Sequence, residues 1–225
     1  MRDDALSVIV CGSSAAMATS GYLSWLRQEI DLPLRVLLTA SAERFVQPQV
    51  AAWYADEVYT SADPTLNPTE FAKRSLGIVV LPATANTLAA AALGLAGNPA
   101  QTALLASDRP AIFFPSMNRS MWVKRVTQRH VEALRDEGHT VVEPQERVIF
   151  ELWQRENAVG IAMPPPDAVA ELIVSWLETT LSAGAEAAGA EAAEAEAAEA
   201  GAAEAETATG GVEGVEGSVG RAATA

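Results

Sequence analysis

The segment LSVIVCGSS, residues 6–14, places a short apolar and β-branched run directly before a Gly-Ser-Ser turn. A run of this kind predicts a buried strand, and an amphipathic stretch follows it as far as Glu29. The same alternation recurs along the chain. It predicts further strands at residues 34–38, 78–81, 111–114 and 140–142, and helical stretches at residues 42–54, 85–95 and 118–137.

Two further elements are predicted after residue 142. Residues 147–152 are predicted to form one arm of a hairpin, and Asp167 is predicted to cap a final helix whose apolar residues recur on one face. Strands that are apolar throughout and separated by helices indicate a parallel sheet covered on both faces. The predicted fold is therefore α/β, with a doubly wound parallel sheet. Ligands in such folds bind beyond the carboxyl ends of the strands.

Composition excludes several classes of function. The 225 residues include 15 Lys and Arg against 29 Asp and Glu, a formal net charge of -14. This balance disfavours nucleic acid or an anionic membrane as partner, because both need basic residues. One cysteine excludes a disulfide framework and a metal site with several thiolates, and two histidines argue against a His-rich metal site. The first residues do not resemble a signal peptide and no apolar run approaches about 18 residues, so we expect a cytoplasmic protein.

The composition changes once, near residue 183. Residues 183–225 are almost entirely Ala, Glu and Gly, with nine Glu and one Arg. They contain no aromatic residue, Leu, Ile or Met, and so cannot bury enough apolar surface to offset the entropy of ordering. We predict one domain at residues 1–182 and a disordered acidic tail at residues 183–225. The tail either keeps the protein soluble or binds a partner.

Polar residues follow four of the predicted strands. The loops are Gly-Ser-Ser at 12–14, a hydroxyl-rich segment at 39–45, PATANT at 82–87 and PSMNRSMW at 115–122. The first loop suits one phosphate, because a glycine turn and two hydroxyls precede a helix. It is not a GxGxxG motif, so a dinucleotide is disfavoured. Because these loops converge on one edge of the sheet, they predict a single ligand crevice.

The last two of these loops carry a resemblance to a known family. PATANT and PSMNRSMW resemble the two signature motifs of the homo-oligomeric flavin-containing cysteine decarboxylases, whose forms are close to PASANT and PxMNxxMW. Their spacing from the Gly-Ser-Ser loop is similar too, and the resemblance extends from about Leu6 to Leu181. It implies a flavodoxin- or Rossmann-like flavoprotein fold, FMN as cofactor, and assembly into a trimer or dodecamer.

The resemblance also implies roles for individual residues. Asn118 would hold the substrate carboxylate and is the expected catalytic residue. Met121 would contact the substrate, or else pack with Trp122 beneath the site. The residues expected to hold FMN are Gly12, Ser13, Ser14, Thr39, Ser41, Phe45, Thr84, Ala85, Asn86, Thr87 and Ser116.

The family has two main branches, and the cysteine content separates them. One branch decarboxylates phosphopantothenoylcysteine in coenzyme A synthesis and uses a cysteine in a C-terminal segment to protonate an enethiol. The only thiol here is Cys11, in the first strand, where we expect a small buried residue. Residues 150–157 lack a cysteine and look like the substrate clamp of the other branch, the epidermin-type peptidyl-cysteine decarboxylases. The resemblance therefore implies oxidative decarboxylation of a precursor peptide's C-terminal cysteine to an enethiol, in ribosomal peptide antibiotic biosynthesis.

The sequence departs from the family at Pro68. The family has an acid/base histidine in a Leu-Asn-His pattern, whereas this chain reads Leu66-Asn67-Pro68. The two remaining histidines, at positions 130 and 139, are expected at the surface. Three interpretations stay open: water or the flavin site takes the thiol proton, Asn67 or Glu70 replaces the histidine, or the chain is a non-catalytic regulatory homologue. The coenzyme A enzyme is the least favoured alternative.

Overall fold

Eight strands form two sheets in the computed structural model, which describes residues 4–152 and 154–209. The strands are β1 (Ala5–Val10), β2 (Leu34–Leu38), β3 (Glu57–Thr60), β4 (Ser75–Ala83), β5 (Ala111–Pro115), β6 (Thr140–Val141), β7 (Gln145–Glu151) and β8 (Glu156–Ala162). Strands β1 to β6 form one sheet in the order β3-β2-β1-β4-β5-β6, and every pair in it is parallel. Strands β7 and β8 form a separate antiparallel hairpin, which confirms the predicted hairpin arm.

Helices cover both faces of the sheet. They are α1 (Thr19–Glu29), α2 (Pro48–Ala51), α3 (Pro68–Lys73), α4 (Ala85–Ala92), α5 (Pro99–Ala106), α6 (Arg119–Trp122), α7 (Arg125–Asp136) and α8 (Pro166–Thr209), with short 3-10 helices at Ser14–Ala18 and Ala42–Arg44. One face of the sheet packs against α1 and α8, through residues such as Leu23 and Ile173. The other packs against α3, α4, α5 and α7, through residues such as Leu88 and Leu134. The predicted doubly wound α/β fold is confirmed.

The predicted long helix at residues 118–137 was wrong, because the chain breaks after Trp122. Lys124 is extended, with φ -65° and ψ 134°, and separates α6 from α7. The break leaves carbonyl groups without helical partners, and side chains from α7 satisfy two of them. The Thr127 hydroxyl donates to the Met121 carbonyl at 2.8 Å, and the Gln128 amide donates to the Trp122 carbonyl at 2.7 Å. Because of this break, the PSMN loop is followed by a separate short helix, α6.

Four elements, β3, β8, α3 and α5, were not predicted from the sequence, and a fifth was predicted with the wrong structure. β3 is a half-buried edge strand, so it lacks the continuous apolar run that predicted the others. α3 and α5 are short, and each begins with an Asn cap before a proline, a start signal that the sequence contains at residues 67–68 and 98–99. The predicted helix at residues 42–54 is instead a 3-10 helix followed by α2, which begins at Pro48.

The acidic C-terminal segment lies partly within α8. Contacts divide the chain into one unit at residues 1–181 and another at residues 182–225. Residues 183–209 are helical in the structure, whereas residues 210–225 lie outside the described residues. The predicted disorder of the tail and the predicted cytoplasmic location both stay predictions. Among the described residues, no helix is both long and apolar enough to cross a membrane.

Gly77 allows α8 to pack directly on β4. A Cβ atom at this position would lie 2.7 Å from the Trp176 ring and 3.2 Å from a Leu177 methyl group. We expect Gly77→Ala to lower the free energy of unfolding by about 1–3 kcal/mol, because the ring must move out of a packed core. Chemical denaturation followed by circular dichroism measures the change.

Gly21→Ala is the matched control for this substitution. Gly21 lies inside α1, and an added Cβ would meet only a Pro166 carbon at 4.0 Å. Alanine should therefore stabilise the protein by about 0.5–1 kcal/mol through its helix propensity. A Gly77→Ala variant as stable as Gly21→Ala would contradict the tight packing of α8 on β4.

The acidic segment gives a second prediction. Deleting residues 183–225 should change the melting temperature little, because the segment has no large apolar side chain to bury. Differential scanning calorimetry of the full chain and the truncated chain measures this. A fall of more than about 5 °C, which for a domain of this size corresponds to more than 1 kcal/mol, would show that the segment docks on the folded unit.

Candidate functional site

A cavity of about 530 Å³ lies at the carboxyl ends of the central strands. The strand order reverses between β1 and β4, which leaves a crevice between the loops that follow them. Ten of the residues expected to hold FMN line this cavity, together with Asn118 and Met121: Gly12, Ser13, Ser14, Thr39, Ser41, Thr84, Ala85, Asn86, Thr87 and Ser116. The structure thus brings together residues from four separate loops.

Phe45 is the predicted cofactor residue that does not line this cavity. Its side chain is 36% exposed, and the Arg44 guanidinium lies 5.8 Å from the centre of its ring. The residue follows the 3-10 helix Ala42–Arg44, so the loop has already turned before Phe45 is reached. Its assignment to the cofactor stays a prediction.

Hydrogen bonds join the loops that follow β1, β4 and β5. The hydroxyls of Ser13 and Ser116 are 2.7 Å apart, and the Ser116 amide donates to the Ala83 carbonyl at 2.8 Å. The Cys11 amide donates to the Pro82 carbonyl at 3.3 Å, just beyond the last paired residues of β1. These bonds fix the relative positions of the loops that form the cavity wall.

The loops after β1 and β2 approach each other at Gly12. A Cβ atom on Gly12 would lie 2.5 Å from the Ser41 Cβ and 2.6 Å from its carbonyl carbon. The Thr39 hydroxyl donates to the Val10 carbonyl at 3.0 Å, which joins the two loops. Only glycine fits at position 12, since any side chain would collide with the Ser41 backbone.

The turn after Gly12 is a 3-10 helix, where a regular helix was expected. Ser13 caps it by accepting the Ala15 amide at 3.2 Å, and α1 begins only at Thr19. The expected anion site therefore consists of hydroxyls and amides of one tight turn, without a long helix beginning directly at the cavity. This corrects the prediction that a helix directly follows the Gly-Ser-Ser turn.

The threonines of the PATANT motif organise the start of α4. The Thr84 hydroxyl accepts the Thr87 amide at 3.3 Å, which caps the helix. The Thr87 hydroxyl lies 3.0 Å from the Thr84 hydroxyl and donates to the Cys11 sulfur at 3.1 Å. Asn86 lies exposed in the first turn of α4 and lines the cavity. The motif thus holds small and polar residues in a rigid turn at the cavity wall.

The cavity carries no fixed charge from the residues that line it within the described part of the chain. Cys11 is 2% exposed, which confirms the predicted buried residue, and burial raises the pKa of its thiol to about 11. The hydrogen bond from Thr87 lowers the pKa by less. The thiol is therefore neutral at physiological pH, and the donors around it are hydroxyls and amides.

A second cavity, of about 690 Å³, adjoins the first. The two cavities share Ser13, Ser14, Ser116, Met117 and Asn118. The β7–β8 hairpin forms one wall of the second cavity, together with Met17 and Tyr22, whose hydroxyl donates to the Pro164 carbonyl at 2.9 Å. An ion pair of 3.0 Å between Arg119 on α6 and Glu146 on β7 connects the hairpin to the PSMN loop.

Asn118 lies at the border between the two cavities. It occupies the cap position of α6, but its side chain makes no capping hydrogen bond and is exposed. Its amide is therefore available to a ligand. Met121 is 44% exposed at the first cavity, whereas Trp122 is 8% exposed and packs in the core. A larger cavity, of about 780 Å³, lies near the amino end of β5 and contains none of the predicted site residues.

The segment around Pro68 lies outside both adjoining cavities. Pro68 begins α3, and the Asn67 side chain caps that helix by accepting the amides of Thr69 and Glu70. Glu70 lies 3.7 Å from the Arg74 guanidinium. Neither Asn67 nor Glu70 lines the cavities within one chain, so the structure gives neither of them a position to replace the family's histidine.

The prediction that His139 is a surface residue was wrong. It is half-buried, its Nδ1 accepts the Ala111 amide at 2.9 Å, and its ring packs edge-on against Phe113. Burial lowers the pKa of its imidazole. His139 therefore links β5 to the start of β6 and lies away from the first two cavities.

Comparison with known proteins is consistent with this geometry. A family model described as Flavoprotein matches residues 1–178. Mersacidin decarboxylase of Bacillus sp. strain HIL-Y85/54728 is 34% identical over 170 residues, which cover 74% of this chain and 87% of the relative. Epidermin decarboxylase of Staphylococcus epidermidis is 26% identical over 171 residues, covering 75% of this chain and 94% of the relative.

A solved structure extends the comparison to three dimensions. It contains EpiD complexed with the substrate peptide DSYTC, and it superimposes with a TM-score of 0.70 at 26% identity. The match covers 75% of this chain and 97% of that chain. The fold, the family model and the relatives agree, and this chain belongs to the flavoprotein family that includes the mersacidin and epidermin decarboxylases.

Proposed function

We propose that the protein is an FMN-dependent enzyme that oxidatively decarboxylates the C-terminal cysteine of a precursor peptide, in peptide antibiotic biosynthesis. The observation that carries this proposal is the pair of adjoining cavities with Asn118 at their border. One cavity suits a flat, singly phosphorylated cofactor, and the other suits a peptide end. The relatives named decarboxylases, and the peptide bound to EpiD, support the same assignment.

The residues of the first cavity fit FMN. Its volume lies within the range of about 300–1,000 Å³ that is common for cofactor sites. Hydroxyls and amides of the loops after β1 and β2 would donate to the phosphate, and no acidic side chain among the lining residues would repel it. Gly12 and Ala85 would let the backbone approach the flat ring. Bound FMN would take up the two electrons that the oxidation releases.

Asn118 would hold the substrate carboxylate through its amide N–H groups. The side chain is uncharged, so it binds the carboxylate without stabilising it as strongly as a cation would. That choice suits a group that must leave as CO2. Apolar side chains such as Met17 and Leu152 would shield the cysteine end of the peptide from water.

The position of Cys11 supports an oxidative outcome. This thiol lines the first cavity but not the second, and it is buried and hydrogen-bonded by Thr87. The hairpin, where the coenzyme A branch has its cysteine, contains none. No thiol is therefore placed to protonate the enethiol, and the enethiol would be released as product.

Pro68 favours a second candidate, a non-catalytic regulatory homologue. The residue cannot transfer a proton, and its neighbours Asn67 and Glu70 form a helix cap and an ion pair at α3.

We also propose assembly into a trimer or dodecamer, as the family resemblance implies. The alternative interpretations differ in what happens to a bound peptide, which the following experiment measures.

A peptide ending in Cys should lose about 46 Da when incubated with the FMN-loaded protein, which is CO2 plus two hydrogens. Asn118→Ala should reduce the rate at least about 100-fold because the carboxylate loses its donors, and Asn118→Asp should do the same by charge repulsion. Ser120→Ala is the matched control on the same helix, since Ser120 lines neither cavity. Mass spectrometry of the peptide follows the reaction.

Three other outcomes would each support a different conclusion. A loss of about 44 Da alone would show that the electrons return to the product, as in the coenzyme A branch. An unchanged peptide with a protein that binds FMN would favour the regulatory homologue. A protein that takes up no FMN would overturn both interpretations.

A further inference from the structure

Positive charge is concentrated in one short segment of an acidic protein. Residues 116–131 contain four Lys and Arg and no Asp or Glu, whereas the whole chain carries a formal net charge of -14. The segment covers the end of the PSMN loop, α6 and the first turns of α7. The acidic residues of α7, at positions 132 and 136, come only in its second half. Cations and acidic residues are thus separated along this helix.

This arrangement of charge does not stabilise α7. The amino end of a helix carries a partial positive charge, so acidic side chains stabilise it and cations destabilise it. The cap residue of α7 is Lys124, which makes no side-chain capping hydrogen bond, and the first helical residue is Arg125. The first turn contains no acidic residue. Helix stability therefore does not explain why these cations are present.

Within the described residues, the cations at the start of α7 have no ion-pair partner. Lys124, Arg125 and Arg129 are exposed, and none of them lies within 4.0 Å of a carboxylate in this part of the chain. The nearest acidic residue along the helix is Glu132, three residues after Arg129. α7 packs chiefly against α4, α6 and β6, whose sequences ANTLAAAA, RSMW and TV contain no acidic residue.

Exposed apolar side chains lie between these cations. Val123 is 59% exposed and Val126 is 47% exposed, while Met121 also lines the first cavity. Arg125 and Arg129 are one turn apart and so lie on the same side of α7. We call this set the basic surface, and its members are Met121, Val123, Lys124, Arg125, Val126 and Arg129. It offers cations to carboxylates and apolar groups to the chain that carries them.

The basic surface begins within reach of a peptide bound at Asn118. α6 and the first turn of α7 each span about 6 Å, and the link between them spans at most about 11 Å. Asn118 and Arg129 are therefore no more than about 23 Å apart, which about seven extended residues span. Lys124 is closer, at no more than about 14 Å, or about four extended residues.

We propose that the basic surface binds an acidic segment of the precursor peptide that begins about four to seven residues before the C-terminal cysteine. This inference rests on the proposed function for the identity of the partner. Carboxylates of the segment pair with the three exposed cations, and its apolar groups cover Val123 and Val126. Nucleic acid is a less suitable partner, because the net charge of -14 repels a long polyanion.

Fluorescence anisotropy of labelled peptides tests this with the full-length protein in the presence of FMN. The peptides have equal length and end in Cys, with four Glu or four Gln at positions four to seven before it. The Glu peptide should bind about tenfold more tightly at low salt, since three exposed ion pairs contribute about twofold each. The preference should disappear near 1 M salt, where the Debye length is about 3 Å.

Removing two cations from the basic surface separates its effect from that of net charge. Arg125→Gln combined with Arg129→Gln should reduce the preference for the Glu peptide from about tenfold to about twofold, and leave affinity for the Gln peptide unchanged. Arg44→Gln combined with Lys73→Gln is the matched control. It removes the same charge from exposed residues on other elements and should leave the preference intact.

The melting temperature tests whether the cations serve stability instead. Arg125→Glu places a carboxylate at the amino end of α7 and should raise the melting temperature by about 1–3 °C. A lower melting temperature would show that Arg125 stabilises the folded protein, and its position would then need no partner.

Three binding results would overturn the proposal. Equal affinity of the wild-type protein for the Glu and Gln peptides would show that the surface binds no acidic segment. A smaller particle in sedimentation velocity for the double Gln variant would show that the surface is a contact between copies of this chain. Tighter binding of a single-stranded oligonucleotide than of the Glu peptide, lost in the same variant, would show that nucleic acid is the partner.

The same peptides keep this test separate from the proposed function. If the protein changes the mass of no peptide but binds the Glu peptide more tightly through the basic surface, the proposed reaction fails and the docking stands. If the protein decarboxylates both peptides and binds them equally, the reaction stands and the docking fails.

Discussion

The parallel pairing of β1 with β4 determines where everything else in the site can lie. Leu6 pairs with Gly77 and Ile9 with Val80, so the two strands end at the same edge of the sheet. β2 lies on the other side of β1, and β5 on the other side of β4. The connections therefore leave in opposite directions, and the loops after β1, β2, β4 and β5 surround one crevice. Tight packing of α8 against Gly77 supports this pairing from one face.

The two adjoining cavities differ in charge, and this difference organises the proposed function. The first is lined by neutral donors and a neutral, buried thiol, so it suits a cofactor held by many weak hydrogen bonds. The second is lined by one cation, Arg147, and one carboxylate, Glu151, among the described residues. Asn118 lies between them, and its side-chain amide makes no capping hydrogen bond. A cysteine bound at this border would contact the cofactor in the first cavity. The peptide chain before it would contact the residues of the second cavity.

Much of the fold could be predicted because its central strands are buried and mostly apolar, with Ser7 in β1 and Arg35 in β2 as exceptions. β1, β2, β4 and β5 have continuous buried runs, whereas β3 is half-buried at the edge and α3 is only six residues long, so neither left a strong pattern. The convergence of the loops followed from the parallel sheet alone. The burial of His139 and the register of the hairpin depend on contacts between residues that are separated along the chain. Periodicity along a sequence contains no information about such contacts.

In the proposed enzyme, the loops after β1 and β2 would hold the phosphate of FMN at the crevice between β1 and β4. Titrating the apoprotein with FMN and with riboflavin, followed by quenching of flavin fluorescence, tests this most directly. FMN should bind at least about tenfold more tightly than riboflavin, since only FMN has a phosphate that could accept hydrogen bonds from the hydroxyls and amides of Ser13, Ser14 and Ser41. Equal affinity for the two flavins would contradict it.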